Sequence, residues 1–105
     1  MILITTNNIE GQPVKEYLGL VTADAIIGAN LFKDLFAAIT NVVGGRARSY
    51  EKVLSEAKDN ALEEMQEKAS SLGANAVIGI ALDYGVIGKS GSMLMVSASG
   101  TAVRV

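Results

Sequence analysis

The sequence predicts a small α+β domain, because it combines long amphipathic helical stretches with short β-rich runs. The strongest helical signal covers residues 49–72, where apolar residues recur at steps of three and four between Lys, Glu, Asp and Gln. A β-rich apolar run, residues 76–82, follows almost directly. We therefore expect the long helix to pack on the strand that follows it, and the rest of the chain to be arranged around this pair.

Both ends of the predicted helix carry suitable capping residues. Ser49 can accept hydrogen bonds from the first-turn amides, and Gly73 can adopt the left-handed conformation that closes the last turn. In the following strand, strict alternation places Ile78, Ile80 and Leu82 on one face, which we expect the helix to cover. The opposite face is small and apolar, so a second element is expected to cover it.

The remaining elements are predicted from shorter patterns. Residues 2–5 and 14–21 are rich in β-formers and are predicted to be strands, the second apolar on both faces. Residues 23–29 either extend that strand or form a loop. A second helix is predicted over residues 30–43, which contain both phenylalanines and end at a glycine pair.

The last predicted strand, residues 92–105, follows a predicted glycine-containing loop. Strict alternation along this strand would place Arg104 in the core. We therefore expect a β-bulge at Gly100 to shift the phase and turn the arginine outward.

Composition favours one oligomeric domain spanning residues 1–105. Half of the residues are hydrophobic and only 19% are charged, which is rich in apolar surface for a soluble chain of this size. The simplest explanation is that part of this apolar surface is buried between copies of the chain. No apolar run reaches the roughly 18 residues of a membrane helix, and a signal-peptide pattern is missing, so we expect a cytoplasmic protein.

The charge and residue inventory excludes several functions. The net charge of −2 gives no general attraction to nucleic acid or to an anionic membrane. The chain contains no cysteine and no histidine, which removes thiolate chemistry, the usual neutral-pH base and the usual soft-metal ligands. We therefore expect a non-enzymatic protein that carries no cofactor.

The most specific candidate site is a small-anion site at Gly44, Gly45, Arg46 and Arg48, next to Lys52. Helix N-terminal amides, a glycine pair and fixed cations suit a phosphate or carboxylate. In the alternative interpretation, the glycines only end the preceding helix and the arginines pair with acids of a neighbouring subunit. The P-loop pattern GxxxxGK[ST] is absent.

Three weaker candidate groups remain, each with a structural interpretation that we favour. Carboxylates spaced four apart on the long helix could collect a hard cation, but a solvated helix face explains them; they are Asp59, Glu63 and Glu67. Thioethers could bind a soft ion, but packing explains them; they are Met65, Met93 and Met95. The remaining acid–base candidates are Tyr17, Tyr50, Tyr84, Asp83 and Glu16.

Several motifs together resemble those of the YbjQ-like family of small uncharacterised proteins. The resemblance covers nearly the whole chain and is most specific at Gly44-Gly45-Arg46 and at residues 72–79, LGANAVIG. It also includes Asp83-Tyr84, residues 93–96 and residues 100–103. It implies an antiparallel or mixed sheet packed on two helices, related to the dodecin subunit and assembled as a ring-shaped homo-oligomer, a pentamer. It also carries a heavy-metal-binding family label, and it implies no catalytic residues.

Overall fold

The computed structural model describes residues 1–28, 48–88 and 93–105. Within them the fold is α+β, with a mixed four-stranded sheet and one helix. The elements, in chain order, are β1 Ile2–Leu3, β2 Glu16–Ile27, α1 Arg48–Ser71, β3 Ala76–Ile87 and β4 Met93–Arg104. The second predicted helix, residues 30–43, lies outside the described residues.

The sheet has the strand order β1-β3-β4-β2, so the strand latest in the sequence lies between two earlier ones. β4 pairs antiparallel with both β2 and β3, while β1 pairs parallel with β3. The ambiguous stretch 23–29 is therefore resolved as strand through Ile27. β3 likewise continues to Ile87, through residues that we had predicted as a loop.

Helix α1 agrees with its prediction at both ends to within one residue. Gly73 has a φ of 85° and closes the helix. Its amide donates to the Ser70 carbonyl at 2.9 Å, and the Ala74 amide donates to the Ala69 carbonyl at 3.1 Å. This pair of bonds is the Schellman arrangement, which satisfies the last carbonyls of the helix.

A narrow stripe of α1 packs on one face of the sheet, which we call the near face. The stripe repeats every four residues and consists of Ala57, Ala61, Met65 and Ala69, all buried. Three of these four side chains are alanine. The helix can therefore lie close to the sheet, and its buried stripe covers only a narrow strip of the near face. It packs mainly over β2 and β4 and only marginally over β3.

The face of β3 that receives the helix differs from the prediction. Val77 and Ile80 belong to the near-face core, whereas Ile78 packs on the opposite face, which we call the far face. The register of β3 against β4 shifts between Ile78 and Ala81, so Gly79 and Ile80 together oppose Gly100. This bulge reverses the alternation, and strict alternation from Ile78 to Ile80 was therefore wrong.

The predicted bulge at Gly100 is also wrong, because the irregularity lies on the partner strand. β4 keeps its alternation, and Arg104 stays exposed because it lies beside the end of α1 rather than beneath it. Its Nη1 atom is 2.8 Å from Glu16 Oε2. The alternation of β4 thus places Arg104 on the near face, but outside the core.

The first residues of the chain cover the far face, on which Ile78 lies rather than the predicted Val77. Ile4, Ile9 and Val14 pack on the far face against buried Ile78 and its neighbours. They are held along the outer edge of β3, where the Ile80 amide donates to the Ile4 carbonyl at 3.1 Å. Of the described helices, none is both long and apolar enough to cross a membrane.

Candidate functional site

The predicted anion site lies mostly outside the described residues. Gly44, Gly45 and Arg46 fall in that part of the chain. Arg48 is the first residue of α1, which agrees with its predicted place at a helix N-terminus. The proposed neighbour, Lys52, is exposed one turn later. The anion site therefore stays a prediction.

The acid–base candidates are not brought together. Asp83 and Tyr84 are adjacent on β3, so their side chains leave opposite faces of the sheet. Glu16 forms an ion pair with Arg104. Tyr17 lies on β2, which β4 separates from β3. Tyr50 lies in the first turn of α1. The described candidates form no common acid–base pair.

The carboxylate row on α1 is a solvent-facing surface. Asp59, Glu63 and Glu67 are all exposed, on the side of the helix away from the sheet. Asp59 Oδ1 lies 3.9 Å from Lys58 Nζ, a surface ion pair of small energetic weight. The structure therefore agrees with the solvated-face interpretation.

The methionine candidates are divided between the two faces of the sheet. Met65 is fully buried in the near-face core. Met93 and Met95 lie on the far face, in register with Ile87 and Gly85 of β3. In the described ranges, His, Cys, Asp and Glu form no group of three that could hold a metal ion. The structure therefore does not bring the three methionine candidates together on one face.

A row of polar side chains on the far face was not predicted from the sequence. Asp24 of β2, Ser97 of β4 and Asp83 of β3 are paired directly across three strands. The Ser97 hydroxyl donates to Asp24 Oδ1. Ser99 and Thr101 continue the polar character along β4. The available signal was the alternation of serine and threonine with apolar residues in that strand.

Two exposed apolar patches lie on β2 and β3, the strands on either side of β4. The β2 patch consists of Tyr17, Leu20 and Ile26, of which Leu20 is 74% exposed. Their β4 partners are Val103, Thr101 and Met95, which places all three on the far face. Thr22 and Asp24 lie between Leu20 and Ile26 on this face, so polar side chains interrupt the patch.

The β3 patch consists of Tyr84 and Val86, and Val86 is 61% exposed. Their partners on β4 are Val96 and Leu94, which are buried in the near-face core. The patch is therefore a lateral continuation of that core. α1 packs mainly over β2 and β4 and only marginally over β3, which leaves the patch exposed.

The outer edge of β2 is partly occupied by a side chain from the helix. Lys68 Nζ donates to the Thr22 carbonyl at 2.8 Å and lies 3.6 Å from Glu64 Oε1. A charged lysine side chain at the edge of a sheet hinders the addition of another strand there.

The comparisons with known proteins agree with this fold. The YbjQ family model described as "Putative heavy-metal-binding" matches residues 1–105, the whole sequence. The chain belongs to the YbjQ family. This result confirms the resemblance found in the sequence motifs.

A solved structure extends the agreement to three dimensions. It is described as a protein with unknown function of the DUF74 family, from Pediococcus pentosaceus ATCC 25745. It is similar to this YbjQ-family chain with a TM-score of 0.66 and 18% identity, over 100% of this chain and 97% of that one. At this identity the likeness supports the fold.

Proposed function

We propose that this YbjQ-family protein is a cytoplasmic, non-catalytic module that works as a closed homo-oligomer. The observation that carries the proposal is the pair of exposed apolar patches on β2 and β3. Five of the eight large apolar side chains exposed in the described residues belong to these two patches. Exposed apolar side chains gain free energy when another protein surface buries them.

The separation of the acid–base candidates supports the non-catalytic part of the proposal. General acid–base catalysis needs its groups within hydrogen-bonding reach of one reacting centre. Asp83 and Tyr84 leave opposite faces of β3, and Glu16 is paired with Arg104. Without histidine or cysteine, the chain has few other groups that titrate near neutral pH.

Sedimentation equilibrium at micromolar concentration tests the assembly. We expect a mass several times the 10.9 kDa of one chain. Native mass spectrometry then counts the subunits, for which the family resemblance implies five. A clean single-chain mass across the concentration range would contradict the proposal.

The ligand that we propose for this assembly is a small anion held near Arg46 and Arg48. These arginines are the densest positive charge in a chain of net charge −2, and arginine offers two-point contact to phosphate and carboxylate. The start of α1 at Arg48 supports the proposal, because first-turn amides also attract anions.

Arg46→Ala separates this ligand role from a structural one. An intact oligomer that loses binding of inorganic phosphate or a nucleotide supports the site. Loss of oligomer mass instead supports arginines that pair with acids of a neighbouring subunit. Arg104→Ala is the control, since that guanidinium is engaged by Glu16. A variant whose profile in a broad anion screen equals wild type would contradict the anion site.

A further inference from the structure

The two outer edges of the described sheet are protected to different extents. On the β2 edge, Lys68 Nζ donates to the Thr22 carbonyl. The first part of the β3 edge is covered by the start of the chain, where the Gly79 amide donates to the Thr6 carbonyl at 2.8 Å. Over residues 81–87, no backbone group of the described residues pairs with the outer edge of β3. A strand edge without a partner or a charged guard is where an extended segment can add.

The bulge in β3 decides which residues direct their backbone groups to this edge. The Ile80 amide points outward, since it donates to the Ile4 carbonyl at 3.1 Å. Beyond the bulge the register is regular, so every second residue directs its amide and its carbonyl the same way as Ile80. These residues are Leu82, Tyr84 and Val86.

The pairing of β3 with β4 leads to the same assignment. The Val103 carbonyl accepts from the Asn75 amide at 3.1 Å, so the odd-numbered residues of β4 direct their backbone groups toward β3. One of these residues, Met95, is paired with Gly85. Gly85 therefore bonds to β4, and the residues on either side of it face outward.

The outward-facing residues also carry the side chains of the β3 patch. Tyr84 is 52% exposed and Val86 is 61% exposed, both on the near face. Leu82 is half-buried beside the near-face core. A segment paired with this edge would satisfy backbone groups and, with alternate side chains of its own, cover this apolar surface.

The charge on the far side of the edge indicates what the segment would carry. The Asp83 carboxylate is exposed and has no hydrogen bond or ion pair with the described residues. A basic side chain on the added segment would complement it. The four described strands contain one basic residue, Arg104, and it is paired with Glu16. A described strand from a second copy therefore has no free charge to match Asp83.

We propose that residues 81–87 of β3 bind an extended segment of a different protein, in which apolar residues alternate with lysine or arginine. The apolar residues lie beside Tyr84 and Val86 on the near face, and a basic residue lies beside Asp83 on the far face. Backbone hydrogen bonds supply affinity, and the alternating side chains supply selectivity. This interaction goes beyond the proposed self-assembly and does not depend on it.

Amide hydrogen exchange followed by NMR tests the proposal with a defined probe. The probe is a capped peptide of alternating valine and lysine, as long as the segment 81–87. In the protein alone, the Gly85 amide should exchange slowly and the Tyr84 and Val86 amides rapidly. Addition of the peptide should slow exchange at Tyr84 and Val86. Two control peptides should not bind, one N-methylated throughout and one with glutamate in place of lysine.

Two variants separate the backbone contribution from the charge contribution. Val86→Pro removes an outward amide, which an edge strand tolerates because this amide is not part of the sheet ladder. We expect it to stay folded by far-ultraviolet circular dichroism and to lose peptide binding, whereas Val86→Ile should bind as wild type. Asp83→Asn keeps every backbone group and should weaken binding of the lysine peptide. It keeps the proposal testable if the proline variant fails to fold.

Several results would overturn the inference. Slow exchange of the Tyr84 and Val86 amides before any peptide is added would show that another copy or the rest of the chain already covers the edge. Absence of peptide binding, binding that leaves these amides unchanged, or a folded Val86→Pro variant that binds as wild type would also overturn it. Equal binding of the glutamate peptide would exclude a basic partner. A wild-type chain that sediments as a monomer but binds the peptide would remove the proposed self-assembly alone.

Discussion

The side chain of Asn75 and the backbone of Val105 are joined by two hydrogen bonds. Asn75 Nδ2 donates to the Val105 carbonyl at 3.0 Å, and the Val105 amide donates to Asn75 Oδ1 at 2.9 Å. The Asn75 amide also donates to the Val103 carbonyl at 3.1 Å. One residue between α1 and β3 thereby fixes the last residues of the chain, which explains why asparagine suits this position.

Asn75→Ala removes both side-chain bonds. We expect the free energy of unfolding to fall by about 1–2 kcal/mol, since each intramolecular hydrogen bond contributes about 1 kcal/mol and these are exposed. Urea denaturation at fixed protein concentration measures the change. Asn60→Ala, on the exposed side of α1, is the control and should not lower stability. Equal losses in the two variants would contradict the prediction.

Gly100→Ala should be among the more destabilising single-methyl changes. An added Cβ would lie 2.8 Å from Val77 Cγ1 and 3.2 Å from the Ile78 carbonyl oxygen. Overpacking of this kind costs about 1–3 kcal/mol. Gly85→Ala is a matched control, because the space around Gly85 is open to 4 Å. Thermal denaturation of both variants should show a lower midpoint for Gly100→Ala alone.

Met65→Ala should cost about 2–5 kcal/mol, the range for removing a large buried side chain from a core. Met65 is 0% exposed, so its truncation leaves a cavity in the near-face core. Met93→Ala, at a half-buried position on β4, should cost clearly less. Chemical denaturation compares the free energies of unfolding of the two variants. A Met93 variant as unstable as the Met65 variant would contradict the assignment of the main core to the near face.

Titration of the purified protein with Zn²⁺, Cu⁺ and Cd²⁺ tests the family description. We expect no stoichiometric site of submicromolar affinity, because the chain lacks cysteine and histidine and its described methionines lie on two faces. Isothermal calorimetry with a chelator-buffered metal is the measurement. A tight stoichiometric site would show that the donor set comes from elsewhere, for example from several subunits together.

Much of the architecture can be predicted from local sequence patterns. The face of the sheet on which each strand residue lies cannot always be predicted in this way. The period of α1 and its closing glycine are visible in the sequence, so both ends of the helix were predictable. The bulge at Gly79 and Ile80 depends on contacts with Thr6 and Ile4, more than seventy residues earlier in the chain. Strict alternation contains no information about such distant contacts, and it therefore assigned Ile78 to the wrong face.

The functional surfaces were less predictable than the fold. Leu20 and Ile26 look like core residues, because a sequence records that they are apolar and not which of them the helix covers. Both lie on the far face of β2, whereas α1 packs on the near face of the sheet. The far-face row of Asp24, Ser97 and Asp83 likewise depends on a register that joins three separate strands.

The central position of β4 has a consequence for synthesis on the ribosome. Among the described residues, β2 pairs only with β4, and β3 pairs with β4 along its length and with β1 over two residues. Within these residues, an emerging chain therefore holds β2 without its partner strand, and β3 without its longer partner, until about residue 104 has left the exit tunnel. Most of the sheet must form in one late event, and during the preceding delay the apolar strands are open to chaperones and to neighbouring nascent chains.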